Sequence, residues 1–448
     1  MRVLFVNPPW WEGREGKRTS LFRDNRPWRR GVRAGSRWPF TYVGAATPDN
    51  PASSDYMPYP FFLGYAATYV AQATGADVVF RDSIAMAESY ATFETFLRQE
   101  QFDYIVIESA TPSWQHDRGL IHQIKRLTQA KIIIVGPIAA LGQKVLDEVP
   151  AVAVIKGEYE KNVVKVLRGQ SGVIEYDLLT EEEMNAAPFP YFDETMAHLY
   201  YDYNPAGQQF PHAQVWASRG CPYKCIFCVW PATMTGNDPD GSGKRTVRYY
   251  SADYMRGFLK ELVSKYGFKS IYFDDDTFNL GTRHVEAMCE VMTEIGLPWS
   301  AMCRADTIKM ETWRVMRDSG CFGVKLGFES GNQFVVDKIV NKHLDLDYAR
   351  SVVHQLKDLG MTVHGTFTYG LPGETIEQMK DTKAFIASLP FDTVQESGTA
   401  EIEGTPLATL RESGSLQRFA AARIDTSYNR HVDGNKKADE IAKMLQDS

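Results

Sequence analysis

The feature of this chain that most constrains its fold is the regular alternation of short apolar runs with helical patterns. In the first third of the chain, five β-branched runs of strand length are separated by segments of helical periodicity: 2–6, 77–81, 104–108, 131–135 and 152–156. An alternation of this kind predicts a parallel sheet that is covered on both faces by helices. We therefore expect an α/β fold with a doubly wound N-terminal domain.

The second half of the chain repeats the alternation after an interruption. Six further strands are predicted, each separated from the next by a helix: 214–218, 270–273, 299–304, 323–327, 363–369 and 393–401. A complete barrel of this type has eight β/α units, so six units predict a partial (β/α)6 barrel.

These patterns divide the chain into four segments. Residues 1–170 are expected to form the doubly wound domain, with a long insertion at 10–60 that is rich in Arg, Trp, Pro and Tyr. Residues 171–210 carry turn-forming and aromatic residues and predict a linker, 211–405 the barrel, and 406–448 a polar tail. Long loops within compact domains are usually functional, so we interpret the insertion as a lid or substrate-facing segment, with a surface decoration as the alternative.

The charge and hydropathy of the chain exclude several classes of partner. Its 49 basic and 56 acidic residues give a net charge of -7, which provides no broad basic field for nucleic acid or an anionic membrane. The apolar run at 3–6 is too short for a signal peptide, and no apolar stretch approaches the roughly 20 residues of a membrane span. We therefore expect a cytoplasmic protein with a small-molecule substrate and neither nucleic-acid nor membrane partners.

Three of the six cysteines, Cys221, Cys225 and Cys228, lie close together in the run ASRGCPYKCIFCVWP. Closely spaced thiolates select zinc or an iron-sulfur cluster. A structural zinc site normally needs four protein ligands, and no Cys or His follows this run before His284, which disfavours zinc. Three ligands on a four-iron cluster leave one iron open, as chemistry on a bound ligand requires. The loop is therefore a candidate cluster site.

The CxxxCxxC spacing, with the aromatic Phe227 before its last cysteine, resembles the radical S-adenosylmethionine (SAM) superfamily. The resemblance implies a [4Fe-4S] cluster on the three cysteines and an open iron that chelates the amino and carboxylate groups of SAM. It also implies reductive cleavage of SAM to a 5'-deoxyadenosyl radical. The electron would come from a flavodoxin- or ferredoxin-type donor or from a dedicated one.

Further motifs of the family follow the cysteine loop in order, at the ends of predicted strands: IYFDDDTFN, CRAD, GFESG and YGLPGET. Each has an ordinary structural alternative, such as a helix cap, a surface acid or a turn. The resemblance implies that Phe227 lies near the adenine of SAM, that Asp274 and Asp275 contact its methionine amino group, and that Arg304 contacts its carboxylate. It also implies that Glu329 and Ser330 hold the ribose hydroxyls and that Gly370 lies in the loop over adenine.

A doubly wound domain ahead of such a barrel resembles the cobalamin (B12)-binding branch of the superfamily, whose first domain is Rossmann-like. The motifs NPPW, SATPS, VGP and KGEYE lie at the carboxyl ends of predicted strands, where such sheets bind ligands. The resemblance implies cobalamin contacts by seven residues in these motifs: Asn7, Pro8, Ser109, Thr111, Gly136, Gly157 and Glu158.

Two features depart from this branch. The cobalt-ligating DxHxxG motif is absent after the first strand, and Pro137 and Ile138 stand where a second glycine is frequent. Radical SAM members commonly bind cobalamin without a protein histidine, so the first departure is compatible with binding. A degenerate domain that has lost cobalamin is the alternative.

Three functions remain open at this point. The leading hypothesis is cobalamin-dependent C-methylation of an unactivated carbon of a small-molecule or natural-product substrate. The second is a radical SAM dehydratase, lyase or ring-rearranging enzyme that acts on a sugar or aminocyclitol. The third is a cobalamin-binding sensor or electron-transfer protein. For substrate contacts we predict Arg37 and Trp38 in the insertion, and Glu396 and Glu401 on the last strand.

Overall fold

The computed structural model divides the chain into two compact units. Unit 1 contains Met1–Tyr201, Val229–Asn237 and Ile402–Gly404, and unit 2 contains Asp202–Cys228, Asp238–Glu401 and Thr405–Ser448. The structure describes residues 1–13, 28–33, 40–42, 56–195, 197–202, 204–236, 246–399 and 402–412.

The helices and strands of the first 201 residues belong to unit 1. The last strand of this part ends on Asp202, which is the first residue of unit 2. In chain order they are β1 (Arg2–Asn7), β2 (Trp11–Gly13), β3 (Trp28–Gly31), β4 (Phe40–Tyr42), β5 (Tyr56–Met57), α1 (Phe61–Thr74), β6 (Asp77–Asp82), α2 (Tyr90–Gln99), β7 (Tyr104–Glu108), α3 (Trp114–Leu127), β8 (Lys131–Val135), α4 (Gln143–Glu148), β9 (Ala153–Ile155), α5 (Glu160–Leu167), β10 (Gly172–Ile174), α6 (Glu181–Ala186) and β11 (Tyr201–Asp202).

The core of unit 1 is a six-stranded sheet in the order β10-β9-β8-β7-β1-β6, in which all neighbouring strands are parallel. Its central strands are continuous apolar runs, as expected for strands that are covered on both faces. Every residue of β7 is buried, and so are the last four residues of β8. The predicted doubly wound arrangement of parallel strands and helices is therefore what forms.

The segment that we predicted as a linker belongs partly to this unit. Gly172–Ile174 pairs in parallel with β9 as a sixth, edge strand. Helix α6 then begins with a capping box, in which the Thr180 side chain accepts from the Glu183 N–H and the Glu183 carboxylate accepts from the Thr180 N–H. Because β10 has only three residues, its apolar period is too short to read from the sequence.

The strand order places a topological switch point between β1 and β7. From β1 the chain adds β6 on one side, and it adds β7, β8, β9 and β10 on the other. Ligands of open α/β sheets bind outside the carboxyl ends of the strands at such a point. The residues that follow β1 and β7 therefore define the candidate ligand edge of unit 1.

The remaining elements follow in chain order, and α7 falls in unit 1 whereas the others fall in unit 2. They are β12 (His212–Val215), β13 (Ser218–Arg219), α7 (Val229–Met234), β14 (Arg248–Tyr249), α8 (Ala252–Tyr266), β15 (Ser270–Phe273), α9 (Thr282–Ile295), β16 (Trp299–Cys303), α10 (Met310–Asp318), β17 (Cys321–Glu329), α11 (Leu346–Asp358), β18 (Thr362–Tyr369), α12 (Ile376–Ala387), β19 (Thr393–Gly398) and α13 (Pro406–Glu412). Within the described residues, no helix is both long enough and apolar enough to cross a membrane.

Unit 2 contains the six parallel strands that the sequence predicts, in the order β12-β15-β16-β17-β18-β19. Three of the helices between them, α8, α11 and α12, begin at capping side chains: Ser251 accepts from the Tyr254 N–H, Asp345 from the Tyr348 N–H, and Thr375 from the Gln378 N–H. Side chains of this type satisfy N–H groups that a helix leaves open at its start. The chain order is thus that of a partial (β/α)6 barrel.

The two faces of this sheet differ in chemistry. Phe328 of β17 stacks on Phe367 of β18 and contacts Phe385 of α12, so both strands turn these rings toward the helices. Because side chains alternate along a strand, Lys325 and His364 lie on the opposite, inner face. The inner face is therefore partly polar, whereas aromatic rings of β17 and β18 pack against α12 on the outer face.

A segment ahead of β12 packs against the strand starts of unit 2. The Gln209 N–H donates to Ser270 Oγ (3.0 Å), and Gln208 Nε2 donates to Ser300 Oγ (2.8 Å). The Ala206 carbonyl accepts from Thr362 Oγ1 (3.0 Å). Residues 204–211, called the floor segment, thus lie at the amino ends of β15, β16 and β18, opposite the ends where the predicted site residues lie.

Candidate active site

The three cysteines of the CxxxCxxC run lie on one loop between β13 and α7. Cys221 is buried, and Cys225 and Cys228 are half-buried. The residue before the first thiol, Gly220, has a φ of 94°, and a Cβ atom there would lie 2.4 Å from the Thr246 carbonyl oxygen. Glycine is the residue that accepts both constraints. The chain therefore turns sharply into the loop at its first ligand.

Backbone hydrogen bonds and apolar contacts hold this loop. The Ile226 N–H donates to the Val340 carbonyl (3.1 Å), and the Ile226 carbonyl accepts from the Leu407 N–H (2.8 Å). Phe227 packs against an apolar cluster made of Ile226, Val335, Ile339, Val340, Leu371 and Leu407. Since Leu371 lies in the predicted adenine loop, the structure brings that loop and Phe227 to the same cluster.

The donor set of the loop suits a four-iron cluster. The six cysteines all lie in the described part of the chain and form no disulfide. No three His, Cys, Asp or Glu side chains of the described residues are placed to hold a single metal ion. A four-iron cluster does not need three ligands that converge on one metal ion, because each of its thiolate ligands binds a different iron atom. Three thiols on one loop in apolar surroundings fit that requirement.

The environment of Cys221 identifies two residues that the sequence motifs did not assign. Burial raises the pKa of the Cys221 thiol to about 11, and the Asp276 carboxylate raises it further. The Thr277 hydroxyl lies 3.6 Å from Cys221 Sγ. A neutral thiol is therefore the stable form here unless a cation such as iron compensates the thiolate. The signal for both residues was their position directly after β15, within the DDDT run.

The acidic run after β15 divides into different roles. The Asp275 carboxylate accepts from the Ala217 N–H (3.1 Å) and from Ser218 Oγ (2.5 Å), and Asp275 is buried. It therefore fastens the chain that leads into the cysteine loop. This differs from the SAM contact that we predicted for Asp275, because its oxygens are occupied by protein donors.

Asp274 has a different environment. It directly follows β15 and is half-buried. Burial raises the pKa of Asp274 to about 7, although the Lys325 ammonium lowers it. Asp274 thus retains a carboxylate that a bound cation would stabilise, as the predicted contact to the SAM amino group requires.

Arg304 is held by the protein. Its Nε lies 2.5 Å from Asp306 Oδ1, and its Nη2 donates to the Lys342 carbonyl (2.7 Å). The guanidinium also stacks over the Tyr223 ring of the cysteine loop, 3.8 Å from the ring centroid. The prediction that Arg304 contacts the SAM carboxylate does not follow from this arrangement, in which Arg304 positions the cysteine loop instead.

Glu329 lies at the end of β17 in an unusual conformation. Its φ is 71°, in the left-handed region that side chains rarely adopt. Its carboxylate accepts from Lys342 Nζ (3.2 Å) and from Thr368 Oγ1 (3.1 Å). Gly327 makes room for this pair, because a Cβ atom there would lie 2.9 Å from Lys342 Nζ. Strained backbone of this kind is often found at functional sites.

The next predicted ribose contact, Ser330, has a structural role. Its hydroxyl lies 3.0 Å from Thr382 Oγ1 of α12 and accepts from the Asn332 N–H (3.1 Å). Gly370, by contrast, occupies the predicted turn with a φ of 68°. The Glu374 carboxylate closes that turn by accepting from the Leu371 N–H (3.1 Å).

The predicted substrate residue Glu396 lies on the wrong face of the sheet. Its carboxylate accepts from the Tyr369 hydroxyl (2.5 Å) and pairs with Lys383 of α12. Glu396 therefore faces the helices, and alternation along β19 places Gln395 and Ser397 on the inner face instead. The other predicted substrate residues, Arg37, Trp38 and Glu401, lie outside the described residues.

The switch-point edge of unit 1 contains a buried ionic network. Arg33, from the long insertion, pairs with Asp117 of α3 (Nη2 to Oδ1, 2.6 Å), and neither side chain is exposed. Arg33 also donates to Asn7 Oδ1 (3.0 Å) and to the Pro8 carbonyl, and Ser109 Oγ donates to Asp117 Oδ2 (2.6 Å). Three predicted cobalamin residues, Asn7, Pro8 and Ser109, are thus bound to other protein groups.

The remaining predicted cobalamin residues differ among themselves. Gly136 has a φ of 89°, and a Cβ atom there would lie 2.6 Å from the Ser109 carbonyl, so it permits close packing of two strand ends. Gly157 has a φ of 76°, and the Glu158 N–H next to it donates to the Met234 carbonyl (3.0 Å). The Thr111 hydroxyl is buried and has no hydrogen-bond partner among the described residues.

Another polar group at this edge resembles Thr111. The Ser83 hydroxyl, directly after β6, is buried and likewise lacks a hydrogen-bond partner in the described part of the chain. Buried polar groups are normally satisfied, so two such hydroxyls, after the strands on either side of β1, fit a ligand that carries polar groups. The edge therefore fits a ligand such as cobalamin at Ser83 and Thr111.

A family model matches the part of the chain that contains this site. Residues 217–386 match the model of the Radical SAM superfamily. This match confirms the predicted radical SAM domain, and with it the [4Fe-4S] cluster and SAM as cofactors. It begins just before the cysteine loop and ends in α12.

Two curated relatives are named methyltransferases. An uncharacterized methyltransferase of Pyrococcus horikoshii is 26% identical over 367 residues, covering 78% of this chain and 77% of the relative. The cytidylyl-2-hydroxyethylphosphonate methyltransferase of Streptomyces wedmorensis is 28% identical over 247 residues, covering 51% of this chain. The match spans 43% of that relative's length.

A solved structure has a similar fold over most of the chain. It is the radical SAM methyltransferase TsrM of Kitasatospora setae with bound tryptophan and a SAM analogue, at a TM-score of 0.63 and 14% identity. The similarity covers 80% of this chain and 74% of TsrM. A second TsrM structure contains cobalamin and a [4Fe-4S] cluster. At this identity the similarity concerns the fold alone.

Proposed function

From the premise that this chain is an enzyme with a radical SAM domain, we propose that it methylates an unactivated carbon of a small molecule in a cobalamin-dependent reaction. The observation that carries the proposal is the fold that it shares with TsrM over 80% of its length. That shared length includes more than the barrel, and TsrM is a methyltransferase that was solved with cobalamin and a cluster. The two relatives that are named methyltransferases support the same reaction class.

The residues of unit 2 receive the following roles. Cys221, Cys225 and Cys228 would hold the cluster, which supplies the electron that cleaves a carbon-sulfur bond of SAM. Asp274 binds the SAM amino group through its half-buried carboxylate. Glu329 binds the ribose hydroxyls through further lone pairs of its carboxylate, which has about four acceptor positions and accepts one hydrogen bond from Lys342 and one from Thr368. Phe227 and the Gly370 turn enclose the adenine against the shared apolar cluster.

The residues of unit 1 would hold cobalamin, which carries the methyl group to be transferred. Ser83 and Thr111 would donate hydrogen bonds to its polar side groups, because both hydroxyls are buried without a partner in the described residues. The main chain at Gly157 and Glu158 would line the same edge. The Arg33 network would hold that edge in place, through the hydrogen bonds of Arg33 to Asn7 and Asp117 and of Ser109 to Asp117.

The experiment that tests the proposal uses the full chain, reconstituted anaerobically with iron, sulfide and cobalamin. The protein is incubated with methyl-labelled SAM, a strong reductant and the small-molecule fraction of the source cells. We expect about one cobalt per chain and label in a small molecule. S-adenosylhomocysteine and 5'-deoxyadenosine should accumulate together. Formation of 5'-deoxyadenosine alone, with no labelled product, would reject methylation.

One observation favours a second candidate function. The Arg33–Asp117 pair fills part of the switch-point edge with fully buried side chains, as a domain that has lost its cobalamin would permit. The second candidate is therefore a radical SAM dehydratase, lyase or ring-rearranging enzyme that acts on a sugar or aminocyclitol. Cobalt analysis separates the two, because protein that takes up iron but no cobalt from the same mixture supports the second.

The remaining partner in the proposal is an electron donor. Cleavage of SAM consumes one electron per radical, so a flavodoxin- or ferredoxin-type protein, or a dedicated reductase, would supply it. Replacing the chemical reductant with each class of donor and measuring 5'-deoxyadenosine identifies which class serves.

A further inference from the structure

Lys342, on the segment between β17 and α11, forms a buried ion pair with the proposed ribose contact. Lys342 and Glu329 are both buried, and Lys342 Nζ lies 3.2 Å from Glu329 Oε1. Burial of two charges costs free energy that their attraction only partly offsets, so stability alone is a weak explanation for such a pair. Its position at the end of β17 indicates a role in the site.

The main chain of Lys342 is held on both sides. Its N–H donates to the Val336 carbonyl (2.9 Å), and its own carbonyl accepts from Arg304 Nη2 (2.7 Å). The residues before and after it, Asn341 with a φ of 60° and His343 with a φ of 54°, both lie in the left-handed region. Such conformations persist only where the surrounding structure holds them. Lys342 is therefore presented from a main chain whose course is fixed.

The side chain next to Lys342 fastens the same segment to the cysteine loop. Asn341 Nδ2 donates to the Lys224 carbonyl (3.1 Å), and Asn341 Oδ1 lies 2.8 Å from His343 Nε2. These contacts, like those of the main chain, do not involve the side chain of Lys342. A substitution of that side chain should therefore leave the course of the segment in place.

The Lys342 ammonium reaches the carboxylate through a space that Gly327 leaves open. A Cβ atom at residue 327 would lie 2.9 Å from Lys342 Nζ and 3.0 Å from Glu329 Oε1. The second carboxylate oxygen, Oε2, accepts from Thr368 Oγ1 (3.1 Å). One donor on each oxygen fixes the plane of a carboxylate, which has about four acceptor positions in all. Lys342 and Thr368 therefore set the direction in which Glu329 offers its other positions.

We propose that Lys342 is a positioning residue, which holds the Glu329 carboxylate in the orientation that accepts hydrogen bonds from the ribose hydroxyls of SAM. The proposal rests on the proposed role of Glu329 as the ribose contact. Without the ammonium, the carboxylate would lose the donor on one of its oxygens and would rotate more readily away from the ribose. It would also be buried without its cation.

The proposal concerns the ribose hydroxyls alone, so its test compares SAM with the 2'-deoxy and 3'-deoxy analogues of SAM. The measured quantity is the discrimination ratio, which is the dissociation constant of the more weakly bound analogue divided by that of SAM. A hydrogen bond from a hydroxyl to a charged carboxylate predicts a ratio of at least about tenfold for the wild type. A side chain that only supports the fold, or that contacts another part of SAM, affects SAM and both analogues alike and leaves the ratio unchanged.

Lys342→Met should lower the discrimination ratio to below about threefold, because the carboxylate loses the donor that orients it. Glu329→Gln should lower the ratio to a similar value, because it removes the charged acceptor itself. Lys338→Met is the matched control, since Lys338 lies on the same segment with an exposed side chain. Its ratio should equal that of the wild type.

The double variant tests whether the two residues act as a unit. Lys342→Met combined with Glu329→Gln should have a ratio no lower than that of the lower single variant, because contacting residues that serve one interaction are not additive. A double variant whose ratio falls by the product of the two single effects would show that Lys342 acts independently of Glu329, which refutes the positioning role.

The measurement is equilibrium binding of SAM and of both analogues to the reconstituted, cluster-loaded full chain, with the iron content and circular dichroism of each variant recorded. A lowered ratio in Lys342→Met at normal iron content supports the positioning role. If Lys342→Met weakens the binding of SAM and of the analogues by the same factor, Lys342 supports the fold or contacts SAM elsewhere, and the role is refuted.

The Glu329 variant separates this inference from the site on which it rests. If Glu329→Gln keeps the wild-type ratio, or if the wild type does not discriminate, Glu329 is not the ribose contact and both assignments are wrong. If Glu329→Gln lowers the ratio and Lys342→Met does not, only the role of Lys342 is refuted. Should Lys342→Met not retain iron, Lys342→Gln decides, because it keeps a shorter, uncharged donor: a lowered ratio supports the role and an unchanged ratio refutes it.

Discussion

Arg33 and Asp117 form an ion pair in which neither side chain has any solvent exposure, with Nη2 and Oδ1 2.6 Å apart. Arg33 comes from the insertion between β1 and α1, whereas Asp117 lies in the first turn of α3. The described part of the insertion is therefore held at the switch point of the sheet by a buried ion pair.

Removing one member of this pair should destabilise the protein strongly. Arg33→Met leaves Asp117 buried without its cation, which costs about 3–5 kcal/mol in free energy of unfolding. Urea denaturation followed by circular dichroism measures this. Arg118→Met, on the same helix, removes an exposed pair with Glu148 and should cost less than about 1 kcal/mol. Equal effects of the two variants would contradict the buried role of Arg33.

The same pair predicts a loss of stability in acid. Burial alone would raise the pKa of Asp117, but the Arg33 guanidinium and His116 hold it well below its usual range. A carboxyl whose pKa is lower in the folded state stabilises the fold above its unfolded pKa, near 4, and loses that contribution as the pH falls further.

Urea unfolding at about pH 7 and about pH 3 measures this loss. The wild type should lose more stability than Asp117→Asn over that interval, because the variant has no carboxyl to protonate. An identical pH dependence of the two proteins would show that Asp117 does not contribute.

Cluster assembly should depend on the loop cysteines alone. Cys225→Ala should abolish the iron that the reconstituted chain retains and the formation of 5'-deoxyadenosine, because the cluster loses one of three protein ligands. Cys289→Ala, at a buried position of α9, should keep both and cost only about 1 kcal/mol of stability. Iron analysis and product chromatography check both variants, and normal iron in Cys225→Ala would refute the assignment.

Substitution of Glu329, at the end of β17, should lower the affinity for SAM more than substitution of Glu396, on β19. Glu329→Gln should weaken SAM binding roughly tenfold, because the carboxylate that we assign to the ribose becomes a neutral amide. Glu396→Gln should change it less than about twofold, since that side chain faces Lys383 on the helix side. Equilibrium binding of SAM decides, and a larger effect at Glu396 would reverse the assignment of faces.

Glycine at the edge of unit 1 should be required for packing as well as for conformation. Gly136→Ala places a Cβ atom 2.6 Å from the Ser109 carbonyl at a φ of 89° and should cost more than about 2 kcal/mol. Gly75→Ala is matched, because its φ of 66° is also positive but no atom lies within 4 Å of the added Cβ. It should cost about 1 kcal/mol. Urea unfolding compares them, and equal costs would argue against close packing at Gly136.

The strands were predictable because their chemistry is local. Apolar runs such as KIIIV, in β8, are buried on both faces of a parallel sheet. Such a run can be recognised as a strand from its own residues, without knowing which strands lie beside it. The six strands of unit 2 and the cysteine loop were found for the same reason. Strand β10 was missed, because three residues contain too little periodicity to distinguish an edge strand from a linker.

The direction of a side chain was harder to predict than its position along the chain. Glu396 and Gln395 are neighbours on β19, yet they face opposite sides, and a shift of one residue decides which faces the helices. Asp274 and Asp275 are also adjacent in the chain, yet Asp275 is bound by Ala217 and Ser218 whereas Asp274 is half-buried at the end of β15. A local sequence pattern also does not show whether a polar side chain is already bound by another protein group. Arg304, for example, is paired with Asp306, and that pairing depends on tertiary structure.

The floor segment, which precedes the first barrel strand, has a consequence for any attempt to excise the catalytic half. A fragment that starts at β12 would lack Asp202 and would leave Lys325 as an isolated cation inside the sheet. It would also lack the hydrogen bonds from residues 206–209 to Ser270, Ser300 and Thr362. To keep these contacts, a fragment of the catalytic half has to begin at or before residue 202 rather than at the start of β12.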